Sequence, residues 1–168
     1  MASAIIVAGA NVPKGSFYNH FDSKEAFGAE VVDAYFESVL GAMRAILCDE
    51  QTPPVERLRR YSEGRMSRMS AGGYVRGCLL GNLTLETADH SDLIRTRLAS
   101  HFATWSALMK DCVDQAQREG SITTTLPAAT VADFLLDSWE GALLRARAEK
   151  SDEPLRRFID VIFASILS

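Results

Sequence analysis

The sequence predicts an all-α protein. Three observations carry that expectation. Apolar residues recur at spacings of three and four along most of the 168 residues, helix-start and helix-stop residues punctuate those stretches, and strand patterning is nearly absent. The one β-branched run, Ser121-Ile122-Thr123-Thr124-Thr125-Leu126, is short and reads as a loop.

The elements follow in order. Pro13 suits the first turn of a short helix that ends near Phe21, because its missing N–H is not needed there. Asp22 is expected to cap the next helix, with Glu25 three residues on completing a capping box. That helix runs from Lys24 with two stripes, Phe27/Val31/Tyr35/Val39/Ala42/Ile46 and Phe36/Leu40/Met43/Leu47, so burial along much of its girth is expected. Pro53-Pro54 starts another helix to about Met69, which Gly72-Gly73 breaks. A helix from Gly77 to Ala88 follows. Ser91 caps the next, with Ile94, Leu98, Phe102, Trp105, Met109 and Cys112 on one face and Gly120 as its stop. Pro127 opens an unusually apolar helix to Lys150, and Asp152 and Pro154 open the last, which carries Leu155, Phe158, Ile159, Ile162, Phe163 and Ile166.

Bulk properties narrow the function. A 47% hydrophobic and 24% charged chain is an ordinary globular composition. A net charge of −4 means that any contact with nucleic acid must come from a local patch. It also disfavours a strongly anionic ligand, unless arginines gather locally. No apolar run is long enough to span a membrane, and the start lacks the basic region of a secretory signal. Three cysteines at wide spacing argue against a disulfide framework and for a reducing, cytoplasmic setting. The three histidines form no zinc-site spacing, and no phosphate loop or nucleophile elbow is present. The expectation is therefore no enzyme, no metal and no cofactor.

The most informative run is Pro13-Lys14-Gly15-Ser16-Phe17-Tyr18-Asn19-His20-Phe21-Asp22-Ser23-Lys24-Glu25. In a helix-turn-helix the second helix lies in the major groove while its neighbours hold phosphates. Asn19 can pair with adenine and Lys14 can donate to guanine. The Tyr18 and Ser16 hydroxyls suit phosphate oxygens, and Gly15 permits close approach. Lys24 begins the following helix, where its charge and the free N–H groups both favour a phosphate. Phe17 and Phe21 would anchor the head. The plain alternative is a capped helical hairpin with a polar face. The run resembles the signature of the TetR family of one-component transcriptional regulators. That resemblance implies that Lys14, Gly15, Ser16, Tyr18, Asn19, His20 and Lys24 meet double-stranded operator DNA. It divides the chain into a partial helix-turn-helix head, residues 1–25, and a helical ligand-binding and dimerisation domain, residues 26–168. Family members carry a first helix and the first half of the helix-turn-helix ahead of this point. Here Lys14 and Lys24 face Asp22 and Glu25 within residues 1–25, so the head as given has no net positive charge. A truncated form is expected to bind operator weakly or not at all, leaving a dimerisation and ligand-binding module as the alternative function.

In the body, the apolar helix after Pro127 and the terminal helix carry more apolar surface than a protomer of this size is expected to cover. A homodimer is therefore expected, through Phe134, Ser138, Gly141, Ala142, Phe158, Ile159, Ile162 and Phe163, burying over ~1,500 Å². The alternative is that these stripes serve the protomer's own core. Tyr61, Met66, Met69, Tyr74, Phe102, Trp105, Met109 and Trp139 are candidate walls for a small-molecule inducer, and equally candidates for plain core. Asn82, Glu86 and His101 are candidate polar contacts. Cys78 lies near a helix start beside Arg76, both of which favour thiolate. The stretch Arg76-Gly77-Cys78-Leu79-Leu80-Gly81-Asn82 also resembles a segment of TetR-family repressors that respond to electrophiles. A buried structural thiol is the other reading, and Cys48 and Cys112 are expected to be packing residues. The function expected is that of a repressor released from DNA by a small molecule or an electrophile.

Overall fold

The structure, a computed structural model, describes residues 17–168. Lys14, Gly15, Ser16 and the lead-in to them lie outside the described residues. Among those described, the fold is helical throughout: α1 (Phe17–His20), α2 (Lys24–Leu47), α3 (Pro54–Ala71), α4 (Leu79–Thr87), α5 (Asp92–Arg118), α6 (Ala128–Glu149) and α7 (Glu153–Val161). A single π-helical turn, Ile162–Ile166, follows α7. No helix of the described residues is long and apolar enough to cross a membrane.

Local chemistry explains the boundaries. Ser23, rather than Asp22, caps α2: its Oγ accepts from the Ala26 N–H at 3.0 Å. Ser91 caps α5 in the same way through Ile94. Helices α3 and α6 begin after Pro53 and Pro127, which need no N–H of their own. Gly120, at φ +69°, ends α5 in the left-handed conformation that suits glycine. After α3 the chain turns through Gly73 and Tyr74, both left-handed. Tyr74 is held there by its N–H to the Met69 carbonyl and by Lys150 Nζ donating to its own carbonyl. Helix α4 starts at Leu79, two residues later than expected, with Cys78 as its N-cap residue.

Helix α5 is the central rod, packed against α2, α3, α4 and α6, while α7 closes α6 and α3 from outside. The core runs along it through Leu98, Trp105, Met109, Cys112 and Val113, and meets Val32, Phe36, Met43 and Leu47 of α2. Helix α2 is buried mainly along this one stripe, since its other face looks to solvent around Val31 and Ala42. Buried Arg57 is satisfied by backbone, donating from Nε to the Thr52 carbonyl at 2.6 Å and from Nη1 to the Leu47 carbonyl. A cation against the carbonyl end of α2 also opposes its dipole. Cys112 is a packing residue that donates to the same Leu47 carbonyl. Cys48 is exposed instead, because α2 ends just before it.

The last helix departs from expectation. Ile162 and Phe163 follow Ile159 at helical spacing on the buried face, and after the π turn Leu167 points inward while Ile166 is only half-buried. The Ser168 carbonyl then accepts from the N–H and hydroxyl of Thr123, tying the end of the described chain to the α5–α6 loop.

Candidate functional site

The head segment presents what its sequence suggests at a surface. Tyr18, Asn19, His20 and Lys24 are all exposed on α1 and the first turn of α2. Phe21 turns inward and meets Phe27 edge to face at 4.8 Å, fixing α1 on the start of α2. Helix α2 is clasped to the body further along. Asp33 bonds His101 Nε2 at 2.6 Å and pairs with Arg97, while Phe36 stacks on the His101 ring. The head and the body's central rod are therefore joined through one rigid helix.

A cavity of about 670 Å³ opens between α4, α5 and α6. Leu85, Phe102, Ala103, Leu136, Leu143 and Leu144 supply apolar walls, and Asn82, Ser106, Asp133, Asp137, Glu140 and Arg147 supply polar groups. Arg147 donates to Asn82 Oδ1 at 2.9 Å, and the Ser106 hydroxyl donates to Asp133. This volume and mixture match a small-molecule site. The carboxyl of Glu140 marks its inner end. Its Oε1 is fully buried with no hydrogen-bond partner among the described residues. Burial raises its pKa, and neighbouring Cys78 and Arg65 partly counter that rise. Gly81 leaves the room this carboxyl occupies, since a Cβ there would lie 2.6 Å from Glu140 Oε2.

Of the ligand contacts expected from sequence, Cys78, Asn82 and Phe102 line this cavity. The others do not. Tyr61, Met109 and Trp139 surround a void of only about 10 Å³, and Trp105 borders another of that size, so these four are core. The reason is girth: α3, α5 and α6 are close enough there for the large rings to interlock, with Tyr61 and Trp105 edge to face at 6.4 Å. Met66 packs half-buried against the core. Tyr74 is half-buried, with its hydroxyl bonded to Ser70. Glu86 faces solvent and His101 is engaged by Asp33. Sequence reasoning missed Glu140, although a signal was there: of the carboxylates on α6, it is the one four residues after Leu136 and three before Leu143, on the stripe that helical spacing buries.

At Cys78 the two readings divide. It sits before α4 and is buried, as the structural-thiol reading has it, and burial first and the Glu140 carboxylate second push its thiol up to about 11. Arg76, the expected activator, is exposed, and the arginine that lowers the thiol's pKa is Arg65 instead. At rest this thiol is protonated.

A second cavity, about 300 Å³, lies under α2 against α3, the α3–α4 loop and Leu143 of α6. Met69 lines it. Gly77 and Leu143 border both cavities and separate them.

The proposed dimer surface is divided by the structure. Ile159, Ile162 and Phe163 are buried in the protomer's own core, because they lie three and four residues apart on the one face of the last helix that packs inward. Phe158 is half-buried against Trp139 at 5.3 Å. Phe134 and Gly141 on α6 are exposed, and Ser138 and Ala142 are half-buried.

An all-helical body with a solvent-open cavity, joined by one long helix to a polar four-residue helix, is the arrangement expected of a one-component regulator. The comparisons agree. Residues 54–162 match the family model "Tetracyclin repressor-like, C-terminal domain". The chain is 41% identical to the HTH-type transcriptional repressor DhaR of Mycobacterium sp. (strain GP1), over 96% of this chain and 80% of that one. The crystal structure of regulatory protein TetR from Rhodobacter sphaeroides superposes with a TM-score of 0.85 at 32% identity, covering 94% of this chain and 84% of that one. The reduced form of E. coli NemR also gives 0.85, at 28% identity and 96% and 85% coverage. The chain belongs to the TetR family of transcriptional regulators. Its relatives are repressors rather than enzymes.

Proposed function

We propose that the chain is a cytoplasmic, homodimeric repressor that binds operator DNA through the segment around Tyr18, Asn19, His20 and Lys24. On this reading a small molecule releases it by occupying the 670 Å³ cavity. That cavity is the observation that carries the reading. Its walls come from α4, α5 and α6, and α5 is clasped to α2 by Asp33, His101 and Arg97. A ligand that spreads α5 and α6 therefore bears on the tilt of the helix that carries the head. It need only bind the released state better than the DNA-bound one. A reversible apolar ligand with a polar end fits better than an electrophile, since the resting thiol of Cys78 is protonated and buried. Partner contact is assigned to the outward residues of α6 and α7, with Phe134 and Val161 each more than half exposed.

The test is fluorescence anisotropy on a labelled duplex from the regulator's own upstream region, with sizing chromatography alongside. Tight binding by a dimer, abolished in Asn19→Ala, supports the reading. Phe134→Glu should convert the dimer to monomer. A persistent dimer with no DNA affinity favours the alternative, a ligand-binding dimerisation module, which the uncharged balance of residues 1–25 motivates.

A further inference from the structure

Most arginines in this protein are engaged. Eight make ion pairs with carboxylates, Arg57 is satisfied by backbone carbonyls and Arg147 by Asn82. Among the described residues, four arginines make neither an ion pair nor a hydrogen bond: Arg44, Arg65, Arg68 and Arg76. Three of those four converge on the 300 Å³ cavity under α2. Arg65 and Arg68 reach it from α3 and Arg76 from the following loop. Among the described residues, no acidic side chain lines this cavity. Arg65 is the innermost of the three, with its guanidinium 5.1 Å from the centre of the Trp105 ring. Glu140 offsets part of the Arg65 charge from the larger cavity, but Arg68 and Arg76 have no such partner among the described residues, so the arrangement keeps an excess of positive charge that an entering anion relieves. The Tyr35 and Ser38 hydroxyls lie on the same wall, and Val39, Ala42, Met43 and Met69 supply an apolar remainder.

We infer that this second cavity binds a small amphiphilic carboxylate, its oxygens held by Arg65, Arg68 and Arg76 and its short apolar body against Val39, Met43 and Met69. The site is separate from the larger cavity and does not depend on DNA binding. Guanidinium groups favour a planar oxyanion because they donate two parallel hydrogen bonds to it. The volume is at the lower end for ligand sites, which limits the guest to a few carbons beyond its carboxylate. The protein's overall acidity is thus reversed locally. Because the cavity is bounded by α2 and α3, a bound carboxylate would brace the head-bearing helix against the body.

Isothermal titration with hexanoate, hexanamide and inorganic phosphate tests this on the intact chain. Hexanoate should bind once per chain, and hexanamide about tenfold or more weaker. The double variant R68Q/R76Q, altered only at exposed positions, should lose about tenfold or more in hexanoate affinity while its melting temperature stays unchanged. Arg65→Lys, which keeps the charge and loses the planar fork, should also weaken binding. Equal binding of hexanoate and hexanamide would overturn the inference. So would phosphate binding as well as hexanoate, because the apolar wall would then have no role. If hexanoate affinity survives R68Q/R76Q but falls in Leu144→Trp, which fills the larger cavity, the ligand belongs there and the second site is refuted.

Discussion

The reactivity of Cys78 can be worked out from its surroundings. With its thiol near 11, about one molecule in ten thousand is thiolate at pH 7, against about one in a hundred at the usual 9.0. A more basic thiolate is also a better nucleophile. With a Brønsted slope of roughly 0.45, two units return a factor of about eight. The net expectation is alkylation about tenfold slower than for the same thiol in the unfolded chain, and slower still because the side chain is only 4% exposed. The assay is time-resolved mass spectrometry with iodoacetamide, native against denatured, with exposed Cys48 as the internal reference. The same shift has a stability consequence. The folded state holds the proton more tightly than the unfolded one, so its contribution is complete below pH 9 and is lost as pH rises from 9 towards 11. Two units correspond to about 3 kcal/mol. Cys78 labelling as fast as Cys48 in the native protein, or a melting temperature flat from pH 8 to 11, would refute this account.

Other consequences are direct. Leu155→Ala removes a side chain with no exposed surface and should destabilise by about 3 kcal/mol, lowering the melting temperature by roughly 10 °C in a thermal melt. Ser23→Ala deletes the α2 cap and should cost about 1 kcal/mol, measured by urea unfolding. Asp33→Asn, which breaks the clasp to His101 and Arg97, should cost about 1 kcal/mol, and the double variant with His101→Gln should lose less than the sum of the singles. Gly81→Ala should displace the Glu140 carboxyl and destabilise by about 1–3 kcal/mol, whereas Gly41→Ala within α2 meets no atom within 4 Å and should leave the melt no lower.

The long helices were legible because their signals are local: a Ser or Pro start, a glycine stop and an apolar stripe between them. The candidate site was legible only in part. Cys78, Asn82 and Phe102 do line the large cavity, but Trp105, Met109 and Trp139 have the same character and are core. An aromatic side chain facing inward has the same sequence signature whether its neighbours touch it or leave a gap. Glu140 could have been singled out from its apolar neighbours, but not its position beside Cys78, which is 62 residues away in the chain.

Sequence by itself determined the helical class, the element order, the exposed polar run in the head and the family. These depend on periodicity and on contacts within one or two turns. Tertiary structure decided which stripes are core, that Ile162 and Phe163 belong to the protomer's own interior, that Cys78 is buried beside Glu140 and that three arginines without an ion pair share one cavity. Each of these depends on the free energy of a group among neighbours from other helices. Burial and field at a point are sums over space, and the order of residues along a chain does not specify them until the helices have packed.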